Sequence, residues 1–466
     1  MRKKNERLLR RSRAWGSGTV VACALVAACG GGIRADAAGS SFEEKSPGPP
    51  SPASSATAEV DALVAEALAR NPDLAAARGQ VAAARARVSP AGALPDPVLT
   101  VSYENDGATP SLGVEPMTRL QFMAVQAFPF PGKLGLQERV AKADAERAAM
   151  RPSRVALSLE ADVRRAYADL LEARENLRLV DEQAEAWRQT EEVVRTRYSA
   201  GMGTQQDVLR AQSERTRLLQ QRRRDEAAEA RAVVELRRLL DRPADAPVPT
   251  ARRLVPGESL LTPPAADFLK RALEETPELR EAAAAKERSR LAEEVARHNL
   301  RPDFVASAGY MNRGSLPMMW AAGVGVSVPL WAGKKQRPLI VEAQSDLESA
   351  SATEQSLRRQ ALARTEERLI RVRQLEGEAR LDSDALLVQD RLAVDAALAS
   401  YRTGSVPFVT VLEALNTSFN DRRSAVARLA DLLRADADLR ELSLDAGATA
   451  ALSKSPSTAA GSTPGM

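Results

Sequence analysis

Histidine occurs once in the 466 residues, cysteine twice, and aromatic residues make up only 4% of the chain. One histidine, His298, excludes a two-histidine metal centre and a serine-histidine-aspartate triad, so His298 is expected to be structural. So few aromatics are little with which to line a large catalytic pocket. The strand-to-helix stretch Pro131-Gly132-Lys133-Leu134 resembles a phosphate loop only in part. It lacks the first glycine, and Leu134 stands where a Ser or Thr is needed. Met311, Met318 and Met319 could touch soft metal ions, but loop or membrane-facing packing is the expected use. No enzyme activity and no cofactor is expected.

The basic excess is also less than it looks. The formal charge is +4, but the first 28 residues hold seven Lys or Arg against Glu6, and removing that net +6 leaves −2. A nucleic-acid partner therefore loses its support. The basic opening and the apolar run from Thr19 to Ala28 form the head and core of an export signal over 1–28, too short to span a bilayer. Val26-Ala27-Ala28-Cys29 resembles a lipoprotein junction, which would make Cys29 an acylated N-terminus held at outer-membrane lipid. Cys23 offers an alternative junction, and an unlipidated cut near Ala35-Asp36-Ala37 is the other. Cleavage before Cys29 removes Cys23 and with it any intramolecular disulfide. Residues 29–57, rich in Gly, Ser, Pro and Ala, read as a flexible tether.

What the chain has in abundance is Ala, Leu, Glu and Arg in helical order. Leu159, Val163, Ala166, Leu170, Ala173, Leu177, Val180, Ala184, Trp187, Glu191, Val194 and Tyr198 alternate spacings of four and three. Only Glu191 breaks this apolar seam, and neither Gly nor Pro interrupts 153–200. The repeat predicts a supercoiling rod of about 70 Å. A returning helix is expected from Thr204 to Leu240, its Arg and Glu forming a solvated face.

Before the rod the pattern has period two. Val98 to Glu104 and Thr118 to Phe128 read as strands, and Pro129 to Lys133 as the corner into the helix. Asp241 to Ala266, with six prolines, closes this first unit. The same features then recur in order: Pro72 at Pro277, Pro95-Asp96 at Pro302-Asp303, Tyr103 at Tyr310, Gly132-Lys133 at Gly333-Lys334, and Tyr198 at Tyr401. All offsets lie near 200, which marks a duplicated unit of helix, two strands and long helical hairpin. The repeats are assigned to 58–240 and 267–442, joined by a linker at 241–266 and followed by a tail at 443–466. Each rod ends in the same turn, Tyr198-x-x-Gly201 and Tyr401-x-x-Gly404, with a Val-Leu pair seven and eight residues past the Gly. Gly201 and Gly404 are expected to cap these helices in left-handed conformation.

The strands of the second unit decide between a soluble and a membrane protein. Trp320, Ala322, Val324, Val326, Val328 and Leu330 share one face, and Gly323, Gly325 and Ser327 the other. An apolar face with terminal aromatics predicts lipid on one side and an aqueous lumen, lined by Gly323, Gly325 and Ser327, on the other. The alternative is a soluble sheet packed on the helices. Four strands cannot close a barrel alone, so the membrane reading requires several copies.

Together the lipoprotein junction, the doubled Pro-Asp strand start, the doubled Gly-Lys corner and the doubled Tyr-x-x-Gly turn resemble the TolC-type outer-membrane efflux factors. The resemblance implies a mainly α fold with a membrane β-barrel portion. Four strands per chain would join a homotrimeric 12-stranded barrel above a coiled-coil tunnel. It also implies a periplasmic adaptor and an inner-membrane efflux pump, the RND type among the candidates. Tyr401 matches the family's gating Tyr, Asp207 an entrance Asp, and Glu413 replaces another; Val406 stands where an Arg is often found and Thr410 where an Asp is. With Tyr198, Gly201 and Gly404 these residues form the expected channel entrance. Two other readings stay open, a protein-secretion duct of the same fold and a coiled-coil envelope lipoprotein without a conduit.

Overall fold

In the computed structural model, residues 52–248, 254, 264–442 and 444 are described, with side chains from Glu59 onward. The export signal, Cys29 and all of the expected tail but Leu444 lie outside them. Helix α1 (Pro52–Arg70) begins inside the stretch expected as tether. Asn71 ends it and caps α2 (Pro72–Ala86), its side chain accepting from Asp73 N at 2.9 Å. The short helix α3 (Val88–Gly92) leads to β1 (Val98–Glu104), and β2 (Arg119–Phe128) returns beside it.

Helix α4 then runs unbroken from Lys133 to Ser199, 67 residues or about 100 Å. It is longer than the spacing predicts because it passes through Pro152. That proline ends no helix here, since α2, α3 and α7 pack along this half of the rod. The return helix α5 (Gln205–Leu239) covers only the far half of α4. The second unit repeats the order: α6 (Ala265–Glu275), α7 (Pro277–His298), β3 (Asp303–Asn312), β4 (Met319–Ser327), a second rod, and α10 (Phe408–Arg440). This rod is α8 (Gln336–Leu381) and α9 (Leu387–Thr403), joined by a π-helical turn at Asp382–Leu386. Arg428 of α10 grips the buried Asp382 carboxylate with two donors, one at 2.6 Å.

The seam of α4 is buried from Leu159 to Val194 except at the half-buried Leu177 and Ala184, but Tyr198 is not part of it and stands 47% exposed. Val328 and Leu330 also fall outside β4, which stops at Ser327. Pro329 has no N–H to continue a ladder, and the chain turns there. One apolar cluster joins α1, α4 and α5 through Leu63, Val163, Ala166, Leu170 and Leu236. Another joins all four hairpin helices through Trp187, Ala211, Tyr401, Phe408 and Val411. The strands form one antiparallel sheet in the order β1-β2-β3-β4, so β1 and β4 are its two edges. Among the described residues no helix is long and apolar enough to cross a membrane.

Candidate functional site

Two features outlast the demands of folding, the paired turns at the hairpin ends and the outer face of the sheet. The turns are built alike. Gly201 (φ 73°) and Gly404 (φ 81°) take the left-handed conformation. Behind them Met202 N reaches Arg197 O at 2.8 Å and Ser405 N reaches Ser400 O at 2.9 Å, so each rod ends in the same hydrogen-bonded cap. The restarts differ. Thr204 Oγ1 accepts from Asp207 N at 3.2 Å, and Asp207 Oδ2 accepts from Thr204 N at 3.4 Å, a reciprocal cap that gives Asp207 a structural task beside any other. Pro407 starts α10 without a side-chain cap. Glu413 is exposed six residues further on.

The tyrosines that look equivalent in sequence are not equivalent in space. Tyr401 is 4% exposed and lies against Phe408, ring centroids 5.6 Å apart, with Trp187 edge-on beyond. Its hydroxyl is buried with no hydrogen-bond partner among the described residues. Burial, then the nearby Asp207 carboxylate, raises its pKa, and only Arg197 opposes them. Arg197 is the residue that sequence reasoning missed. Its Nη1 donates to Tyr401 O (2.6 Å) and Arg402 O (3.1 Å), its Nη2 to Met202 O (3.3 Å), and its guanidinium lies 4.8 Å from the Tyr401 ring centre. One cation from the first repeat thus holds the carboxyl end of the second repeat's rod, where carbonyls lack helical partners. A position facing the cap of a rod 204 residues away leaves no local signal.

Glu191, the break in the apolar seam, is also explained. It is buried between Arg215 (2.8 Å) and Arg195 (2.9 Å). The Arg215 hydrogen bond holds its carboxyl below the usual range against the opposing effect of burial. A depressed carboxyl contributes its stability above the unfolded value of about 4.3 and loses it as pH falls through the folded value. Glu191→Gln is therefore expected to flatten the fall in melting temperature of the purified protein on acidification from about pH 6 to about pH 3. An unchanged acid slope would show that the Arg215 pair carries none of it. The other charges of α5 form the expected solvated face only in part: Arg222 and Arg223 pair with Glu226 along the helix, but Asp225 is buried under Arg423 of α10 and Glu229 pairs with Arg174 of α4. His298 Nδ1 lies 2.9 Å from Glu294 O, a local helical contact.

On the sheet, strand register lines Val101, Phe122, Tyr310 and Trp320 into one row, and Phe128, Phe304 and Val326 into another. The rows are six residues apart on β2, about 20 Å, close to the height of a lipid-facing band bounded by aromatics. Val324 between them is 81% exposed and Trp320 79%. The opposite face carries Gly323, Gly325 and Ser327 together with Thr100, Ser102, Gln121 and Ser307. Met311 and Met319 are cross-strand neighbours there, and Arg313 donates to Met319 Sδ at 3.6 Å, a cation where a metal ion would have to sit.

The family model for outer membrane efflux proteins matches residues 63–242 and 268–443, the two repeats. The chain belongs to the outer membrane efflux protein family. Solved structures share this fold at low identity. CusC, studied for folding and transmembrane channel formation, superposes with TM-score 0.72 at 18% identity, over 83% of this chain and 92% of that one. VceC, an outer membrane protein of Vibrio cholerae, gives 0.69 at 20% identity over 83% and 96%. The open MtrE outer membrane channel of Neisseria gonorrhoeae gives 0.69 at 17% over 82% and 88%. A search of curated protein sequences finds no match. As an outer membrane efflux protein the chain is a channel of the outer membrane with a helical tunnel, in a family of channels rather than of enzymes.

Proposed function

We propose that this outer membrane efflux protein is the exit duct of a tripartite system. Three copies would close one 12-stranded barrel and one tunnel, joined to a periplasmic adaptor and an inner-membrane pump. The observation that carries this is the sheet: two open edges, an exposed apolar face between aromatic rows, and an opposite face that mixes Gly, Ser, Thr and Gln with Val98, Met123, Val125 and Val305. Gly323, Gly325 and Ser327 then line water while Val324 and Val326 meet lipid. Acylation at Cys29, suggested by the Val-Ala-Ala-Cys junction, would add an anchor, and mass spectrometry of the mature N-terminus reads it directly.

The paired turns are the tunnel entrance in this reading, with Asp207 and Glu413 from three chains as six carboxylates around it. Such a ring concentrates cations and repels anions, less so at high salt. Arg210 and Arg402, also exposed beside the turns, are the charges that would cancel it. Because Asp207 caps α5, the test keeps an acceptor there: Asp207→Asn with Glu413→Gln. In planar bilayers the wild type is expected to prefer cations, and the double variant to lose much of that preference while still forming trimers. Full cation selectivity in the double variant would remove both acids from the entrance. A chain that forms neither trimers nor conducting channels would favour the structural lipoprotein without a conduit.

A further inference from the structure

The corner after β2 holds the start of β3 within one chain. Lys133 Nζ contacts Asp303 Oδ2 at 3.0 Å, Phe130 N donates to Asp303 Oδ1 at 2.8 Å, and the Arg301 guanidinium lies 4.9 Å from the Phe130 ring centre. A strand end, a corner and a ring form one clamp between neighbouring strands of different repeats. Duplication supplies its parts a second time. Gly333-Lys334 follows β4 as Gly132-Lys133 follows β2, and Leu94-Pro95-Asp96 leads into β1 as Arg301-Pro302-Asp303 leads into β3, which Asp303 opens. The corners share one hydrogen bond, Lys133 N to Phe130 O at 3.0 Å and Lys334 N to Trp331 O at 2.9 Å, although Gly132 alone is left-handed and α8 starts two residues later after its glycine than α4 does. Trp331 thus stands where Phe130 does.

This second set is not assembled within the chain. β4 and β1 are the two edges of the sheet; Asp96 and Lys334 are exposed, Trp331 is 74% exposed and Leu94 51%. We propose that Lys334 and Trp331 of one copy clamp Asp96 and Leu94 of the next, so that each boundary between copies repeats the contact that joins the two repeats. Apolar Leu94 in place of Arg301 suits the larger apolar Trp331, and the Lys-Asp pair supplies register where two strand edges would otherwise slip. The proposal rests on the closure of the sheet by further copies of this chain.

Charge exchange tests it in the full-length channel. Asp96→Lys places like charges at each boundary and is expected to lower the temperature at which trimers dissociate on gels. Asp96→Lys with Lys334→Asp is expected to restore most of the loss. Independently, Asp96→Cys with Lys334→Cys, treated with a short thiol-specific cross-linker, is expected to give dimers and trimers, and neither single variant should. Lys133→Cys with Asp303→Cys is expected to link within one chain and give no ladder. Conducting trimers that show neither rescue nor a ladder would overturn the clamp and leave the duct standing. Failure of the wild type to form trimers would overturn the duct itself.

Discussion

Val324→Arg is expected to leave almost no assembled channel in outer-membrane fractions, while Gly325→Ser assembles as the wild type does. Both changes lie on β4, one residue apart, but alternation sends them to opposite faces. Val324 is 81% exposed on the apolar side between the two aromatic rows. An arginine facing lipid near the midplane costs about 2 to 4 kcal/mol, and three copies multiply it. On the other face a Cβ at Gly325 would come no closer than 3.8 Å to Val305, an ordinary van der Waals contact, so a serine fits without a clash. Gly323 is a poorer control, because a Cβ there would meet Ser307 Oγ at 2.9 Å. The measurement is the yield of heat-modifiable trimer. Equal recovery of both variants would mean that neither face meets lipid and would favour a soluble sheet.

Arg197→Ala is expected to open the entrance, raising conductance in planar bilayers without preventing assembly. The guanidinium joins three carbonyls of two turns and the Tyr401 ring. Hydrogen bonds from a charged donor contribute about 1.5 to 3 kcal/mol, so its loss frees the end of the second rod from the first repeat. Arg197→Lys offers a charge without the fork and should fall between the two. Tyr401→Phe is the contrasting variant. Its hydroxyl has no partner among the described residues, so within one chain the ring does the packing and Phe should conduct as Tyr does. A rise with Phe would place the partner of that hydroxyl on another chain. If Arg197→Ala conducts as the wild type, the arginine staples the fold without restraining the entrance.

Much of this architecture was legible because duplication writes each signal twice. The turns at Gly201 and Gly404, the four strands and the two repeats follow from local chemistry that one sequence displays openly. The errors share a physical cause. Tyr198 and Tyr401 look identical to any argument from spacing, yet the first is exposed and the second buried, since rotation about a long rod accumulates over dozens of residues. Pro152 bounds the proline-free run from which a rod of about 70 Å is predicted, yet α4 passes through it, with α2, α3 and α7 packed on α4. Arg197 is one arginine among many, and its partners are a fold apart in sequence. Asp303 showed only as half of a Pro-Asp doublet, because the lysine it meets lies 170 residues earlier.

The π-helical turn at Asp382–Leu386 sets the angular phase of every residue beyond it on the second rod. From the first helical residue to the turn tyrosine the two rods have equal length, Lys133 to Tyr198 and Gln336 to Tyr401. Only the second contains a wide turn, which takes up an additional residue and leaves α9 lagging by about 100° relative to a regular helix. The bidentate grip of Arg428 on Asp382 holds that turn in place. Shortening it by one residue at the exposed Ser383 would let α8 and α9 fuse into one regular helix. Because the lag and the surplus residue would vanish together, Tyr401 would keep its place in its cluster, whereas straightening the turn without a deletion would swing Tyr401 about a quarter turn away, beyond the reach of Arg197. The second rod therefore works like a vernier, in which one wide turn partway along absorbs a surplus residue and decides what faces inward at the end.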